Sequence, residues 1–305
     1  MGDSREITKI FLHIGMPKTG SSALQQFFFL NRLHLLSKGL YYPLTGLDGW
    51  AHHYFPASIT GRNLNTDIPF KEYFNQIAGE HDFVPGIPVL LSSEAFFNFR
   101  AKDMRQLQKE LKGINVKIII YLRRQDHWIQ SAYNQTVKSH RHRITYSIKK
   151  YTENKHFNNL DYAQTLKQWE NLFGFENIIV KVYEKQQMPQ GVFQNFMDIF
   201  DIIIDNTYKI PNGAVNPSLS PFALVLLRTM NHLPMSDRIH NGLVRLLSML
   251  PVNFANMTIF SKQSLIESNI RCQLMKRFDT SNQEIAKRYF QRDDGKLFYE
   301  KLPEE

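Results

Sequence analysis

Short, nearly unbroken apolar runs alternate along this chain with longer segments whose apolar residues recur at helical spacing. The first run, residues 10–14, ends in a glycine loop, and residues 20–36 then carry apolar positions three and four apart. This predicts a strand, a loop and a helix. A second run, residues 88–91, follows Pro85 and Gly86 and ends in Ser92, Ser93 and Glu94, so it reads as a buried strand with polar groups at its C-terminal end. Residues 102–112 are helical and stop at Gly113, and residues 116–122 form the most β-prone run. Helices are expected over 126–138, 162–173 and 191–200, with a strand over 177–183.

Apolar strands separated by helices imply a parallel sheet covered on both faces. In such sheets ligands bind beyond the C-terminal ends of the strands. From about residue 211 the pattern turns helical, with helices expected over 220–232, 237–250, 264–276 and 281–290. No Gly/Ser/Pro-rich linker divides the chain. Residues 1–305 are therefore read as a single α/β domain with a core over about 8–205 and a helical C-terminal part over about 211–300.

With 305 residues and 43% hydrophobic content, the chain can bury a large core. Its longest apolar stretch, residues 222–227, is far short of the roughly 20 residues a membrane span needs. Residues 1–9 are polar and resemble no export signal, so a cytoplasmic protein is expected. Cys272 is the sole cysteine, which excludes an internal disulfide and fits a reducing compartment; its helical context argues against a catalytic thiol. Lys and Arg number 37 against 28 acidic residues, a net charge of +9 that favours anionic partners. Lys138, His140, Arg141, His142 and Arg143, followed by Lys149 and Lys150, form a cluster suited to a phosphate, a polyanion or peripheral contact with an anionic membrane surface. Nucleic acid is not an expected partner.

Gly15-Met16-Pro17-Lys18-Thr19-Gly20-Ser21-Ser22 follows a strand and opens a helix. Backbone N–H groups and the positive helix end can hold a phosphate or sulfate there, with N-capping the structural alternative for Ser21 and Ser22. A nucleotide-hydrolysing loop of this kind has its lysine directly after the last glycine and an aspartate on a neighbouring strand to hold magnesium. Here that position is Ser21, the lysine is Lys18 inside the loop, and the strand over 116–122 ends in Arg123 and Arg124. Both departures point to cationic neutralisation of a nucleotide with no metal ion.

The stretch Phe11 to Ser22 resembles the 5′-phosphosulfate loop of sulfotransferases that use 3′-phosphoadenosine 5′-phosphosulfate (PAPS), and looks most like bacterial members related to the carbohydrate sulfotransferases. Tyr121 to Tyr133 is similar to the family segment in which a strand-end arginine and a serine eight positions later clamp the donor's 3′-phosphate; Arg123 and Ser131 have that spacing, and Arg124 is a neighbouring candidate. Tyr183-Glu184 resembles the family's Tyr-Glu, with the tyrosine near the adenine, and Asn216 falls in a stretch like the loop that closes over the nucleotide. The resemblance implies a P-loop-type three-layer α/β/α fold. It also implies PAPS as co-substrate, with Pro17, Lys18, Thr19, Gly20, Ser21, Ser22, Arg123, Ser131, Tyr183 and Asn216 binding it and no metal. The acceptor class it implies is a glycan, a glycolipid or another small molecule with a hydroxyl or amine.

Sulfuryl transfer needs an acceptor oxygen in line with sulfur, a base for its proton and cations where charge grows. Lys18 supplies the last. Glu94 is expected to be the base, by analogy with carbohydrate sulfotransferases that use a glutamate. His52 and His53, in a Gly49–Tyr54 loop that reads as acceptor-facing, are the rivals. Neither shares metal-ligand spacing with a Cys, Asp or Glu. Trp50, Tyr54 and Phe55 are available to stack on sugar rings. Two other readings remain open: a small-molecule kinase, and a basic protein that holds a polyanion without turning it over.

Overall fold

The computed structural model describes residues 6–62, 64, 66–153, 155–211, 218–249 and 265–302. They group into two compact units, Met1–Arg123 with Ala163–Gly213, and Arg124–Tyr162 with Ala214–Glu305. The first unit contains a four-stranded, all-parallel sheet in the order β2-β1-β3-β4, built from β1 (Lys9–His13), β2 (Val89–Ser92), β3 (Asn115–Leu122) and β4 (Ile178–Val182). Ile10 pairs with Val89 on one side and Val116 on the other, and Ile118 pairs with Ile178. Ile118, Ile119, Ile120, Tyr121 and Leu122 are all buried, as expected of a central strand covered on both faces. The chain is α/β with a central parallel sheet flanked by helices.

On one face of the sheet, Phe11, Leu90, Ile119 and Tyr121 meet Leu24, Phe27 and Phe28 of α1 (Ser21–Leu30) and Phe196 and Met197 of α9 (Gly191–Met197). The helix expected over 20–36 is two helices, because Asn31 leaves the helical region (φ −111°) between α1 and α2 (Arg32–Ser37). Its side-chain amide donates to the Lys209 carbonyl at 2.9 Å and accepts from the Lys209 N–H at 2.8 Å. That two-way pairing with a distant main chain offsets the broken helix ladder.

Three helices among the described residues were not predicted, α3 (Tyr54–Thr60), α4 (Phe70–Gly79) and the short α7 (Ile148–Thr152). The expected loop over 49–54 therefore ends as the start of a helix, and Phe55 is fully buried against Phe70, Tyr73 and Phe74, so it belongs to the core rather than to a sugar-stacking surface. Trp50 keeps an exposed face. The first unit also holds α5 (Ala101–Glu110) and, from Ala163 onward, α8 (Tyr162–Phe173).

The second unit is helical: α6 (Gln125–Lys138), α7 (Ile148–Thr152), α10 (Pro221–Met230), α11 (Asp237–Ser248) and α12 (Ser268–Phe290), with α6 packed on α10 and α12. The two helices expected over 264–276 and 281–290 form the single α12 where they are described. Ser281 and Asn282 do not interrupt it because each finds a polar partner, Asp161 at 2.8 Å and the Gln125 side chain at 2.7 Å. Cys272 is buried on this helix. Among the described residues no helix is long and apolar enough to cross a membrane.

Candidate active site

The chain passes from β1 outward to β2, returns past β1 to β3, and continues to β4. The strand order therefore reverses between β1 and β3, which is where open α/β sheets bind ligands, beyond the strand C-termini. The segment after β1 is the glycine loop Gly15–Gly20, and the residue after β3 is Arg123.

Gly20 caps α1 in the left-handed region (φ +78°), so Ser21 and Ser22 lie within the first turn of the helix rather than at its N-cap. Lys18 also has positive φ (+75°), an uncommon conformation for a residue with a side chain and one that clusters at binding sites. Thr19 is buried and its hydroxyl donates to the Met16 carbonyl at 2.6 Å, so its side chain braces the loop from inside. Pro17, Lys18, Gly20 and Ser22 are partly accessible, and Ser21 is buried at the helix start. The first N–H groups of a helix have no intrahelical partner.

Arg123 and Tyr183 come to this loop. The Arg123 guanidinium donates to the Lys18 carbonyl at 2.6 Å and lies 5.6 Å from the centre of the Tyr183 ring. Tyr183 packs so closely on Gly20 that a Cβ there would stand 3.2 Å from the ring. One cation and one aromatic face thus border the loop where Lys18 sits.

Arg124 is a different case. It is buried in the second unit, paired with Asp126 through two hydrogen bonds of 2.8 and 2.9 Å and donating to the Glu300 carbonyl. Burial opposes ionisation of Asp126, but Arg124, His127 and Arg271 more than offset it and hold the carboxyl below its ordinary range. Arg124 is an internal ion-pair residue and is withdrawn as a phosphate ligand. Ser131 is half-buried on α6 in that same unit. Asn216 lies outside the described residues. In the basic cluster, Arg143 is committed to Asp237 and the Met235 carbonyl, while Arg141 and His142 are exposed.

Glu94 begins a 3-10 turn, Glu94–Asn98, directly after Ser93. It stands beside the glycine loop: a Cβ added to Gly15, where φ is +47°, would lie 3.4 Å from the Glu94 Cβ. The proximity follows from the parallel register that sets His13 beside Ser92. The Gln25 side chain, from α1, donates to Glu94 Oε2 at 2.9 Å and to Ser92 Oγ at 3.3 Å. Ser92 Oγ is also 2.8 Å from His13 Nδ1.

The histidine pair separates. His52 is fully buried; its Nε2 lies 3.0 Å from the Pro43 carbonyl and its Nδ1 accepts from the Ser92 N–H at 3.1 Å. Burial pushes its imidazole down to about 3. With both nitrogens engaged it is a structural side chain, and the expectation of a base or acceptor-side role narrows to His53. His53 Nδ1 is 2.7 Å from Ser93 Oγ, and its Nε2 faces Glu94 Oε1 at 4.0 Å. Both side chains line a cavity of about 350 Å³ whose wall includes Asp48, Thr60, Arg62 and Phe99. Arg62 is paired there with the buried Asp103.

The sequence reading gave no role to Gln25 or His13, and it had Ser92 and Ser93 only as polar groups at a strand end. Gln25 carried the only available signal, a polar residue among the core-facing Leu24, Phe27 and Phe28 of an apolar helix.

No family model matches the sequence. An uncharacterized protein of Archaeoglobus fulgidus is 32% identical over 206 residues, 66% of this chain and 54% of that protein, so the chain spans about half the length of that relative. The crystal structure of a sulfotransferase from Alicyclobacillus acidocaldarius aligns over 74% of this chain and 96% of that one, at 19% identity and a TM-score of 0.41. A likeness at that level assigns no activity.

Proposed function

We propose that this chain is a PAPS-dependent sulfotransferase acting in the cytoplasm, with residues 1–305 read as a single domain of that kind. The observation that carries the proposal is the closeness of Glu94 to the glycine loop at Gly15, with Glu94 and His53 opening on an adjoining cavity. Donor and acceptor chemistry meet where a sulfuryl group has to pass from one to the other.

In this reading the loop from Pro17 to Ser22 binds the phosphosulfate, Lys18 faces the oxygens where negative charge grows, and Tyr183 lies by the adenine. Arg123 binds the 3′-phosphate, aided on motif spacing alone by Ser131; Asn216 is kept on motif resemblance alone. The acceptor is a hydroxyl or amine on a glycan, glycolipid or other small molecule. Its heteroatom attacks sulfur, the sulfur–oxygen bond to the phosphate breaks, 3′-phosphoadenosine 5′-phosphate (PAP) leaves, and Glu94 takes the acceptor's proton. Positioning and charge stabilisation supply most of such a rate enhancement.

The test is transfer of label from sulfur-35 PAPS to a panel of glycosides and glycolipids in chelator. Labelled sulfated product without magnesium is the expected result. Label transferred instead from the γ-phosphate of ATP, and only with magnesium, contradicts the proposal and makes the chain a kinase.

A further inference from the structure

Gln25 is a buried amide on the helix that the phosphate loop opens, and it touches the carboxylate read above as the base. Its side chain donates one N–H toward Glu94 Oε2 and one toward Ser92 Oγ, at 2.9 and 3.3 Å, and the residue is 3% exposed. A primary amide has two hydrogens in a fixed plane, so it serves two acceptors at once and never competes for the proton being moved. Ser92 is in turn fixed from behind by His13, which is buried and held neutral, its imidazole pushed down to about 3 by burial. Lines of hydrogen bonds of this kind hold a group in one orientation when they sit away from water.

We propose that Gln25 is the positioning residue for Glu94: it ties Oε2 to helix α1 and leaves Oε1 turned toward His53 and the cavity. The inference rests on the reading of Glu94 as base. Its added content is that α1 places both reaction partners' groups, the phosphosulfate at its N-terminus and the base through a side chain one turn further along. Gln25 lies four residues after Ser21, on the same helix. A loose carboxylate would still accept a proton, but from a wider spread of positions, and misplacement by about 1 Å can cost 10²-fold in rate.

The experiment uses the full chain and labelled PAPS, with water as acceptor, so that no acceptor has to be known. Sulfate release is followed as kcat and PAPS KM against pH for the wild type, Gln25→Leu, Gln25→Glu and Glu94→Gln, with circular dichroism alongside. Gln25→Leu is expected to lose about 10- to 100-fold in kcat with KM for PAPS unchanged. Gln25→Glu places a second carboxylate against the first, and like charges resist joint ionisation, so the acid limb of its kcat profile moves to higher pH. If Gln25→Leu does not fold, the Gln25→Glu profile decides. Full turnover in Gln25→Leu, or an unmoved acid limb in Gln25→Glu, beside an inactive Glu94→Gln overturns the positioning role and leaves the base in place. Near-full turnover in Glu94→Gln, or no turnover of PAPS by the wild type, overturns both.

Discussion

For single side chains, Glu94 and His53 stand close together but differ in what their loss should do. Glu94→Gln keeps the shape and the contact with Gln25 but cannot take a proton. Turnover with an acceptor found in the label-transfer screen should fall by roughly 10²- to 10⁴-fold, the usual contribution of general base catalysis, while PAP affinity holds. His53→Ala should lose less turnover and act mainly on acceptor KM, because its Nδ1 is held by Ser93, its Nε2 stands 4.0 Å from Glu94 and the residue lines the cavity. Steady-state kinetics on both variants checks the ranking, and the reverse order would move the base to His53. Arg123→Ala removes a charged fork that also donates to the Lys18 carbonyl. Calorimetry should show PAP binding weakened by about 1.5–3 kcal/mol, the range for hydrogen bonds to a charged group; an unchanged Kd would remove Arg123 from the site.

Among the elements, β1 and the segment leading into α3 share a dependence on acid. His13 and His52 are both buried and neutral, with imidazoles lowered to about 3 by burial. An unfolded chain protonates its histidines near pH 6.5, well above those folded values. Between pH 6.5 and 3 the unfolded state therefore binds more protons, so this contribution is whole above pH 6.5 and lost progressively as pH falls toward 3. Urea midpoints taken from pH 8 to pH 4 should decline below about 6.5, and His52→Gln should flatten the decline. A midpoint indifferent to pH over that span contradicts the burial of both rings.

The same elements show what the chain makes legible. Strand, glycine loop and helix at residues 9–30 were readable because each signal is local. The break at Asn31 was not, since its cause is an amide pairing with Lys209, and the continuity of α12 through Ser281 depends on Asp161. The candidate site divides in the same way. Lys18 and Arg123 were singled out from motifs, and Arg123 donates to the Lys18 carbonyl. The support of Glu94 was invisible because Gln25 reaches it from α1, 69 positions away in sequence. His52 and Phe55 were misread for a related reason: nothing in residues 49–55 announces that a helix begins at Tyr54 and turns them into the core.

Across the whole molecule, a net charge of +9 favours anionic ligands of many kinds, so charge alone does not separate a sulfotransferase from a kinase or a polyanion-binding protein. Recognition of a 3′-phosphate without metal does separate them. The most direct measurement is a thermal shift in chelator with PAP, set against ATP with magnesium and against inorganic polyphosphate. A ligand present at 100 times its Kd adds about 2.7 kcal/mol to stability, which for a chain of this size is a shift of several degrees. A rise in Tm with PAP in the absence of magnesium, much reduced in Arg123→Ala, is the predicted result. A Tm that rises with magnesium ATP or with polyphosphate and stays still with PAP would contradict it.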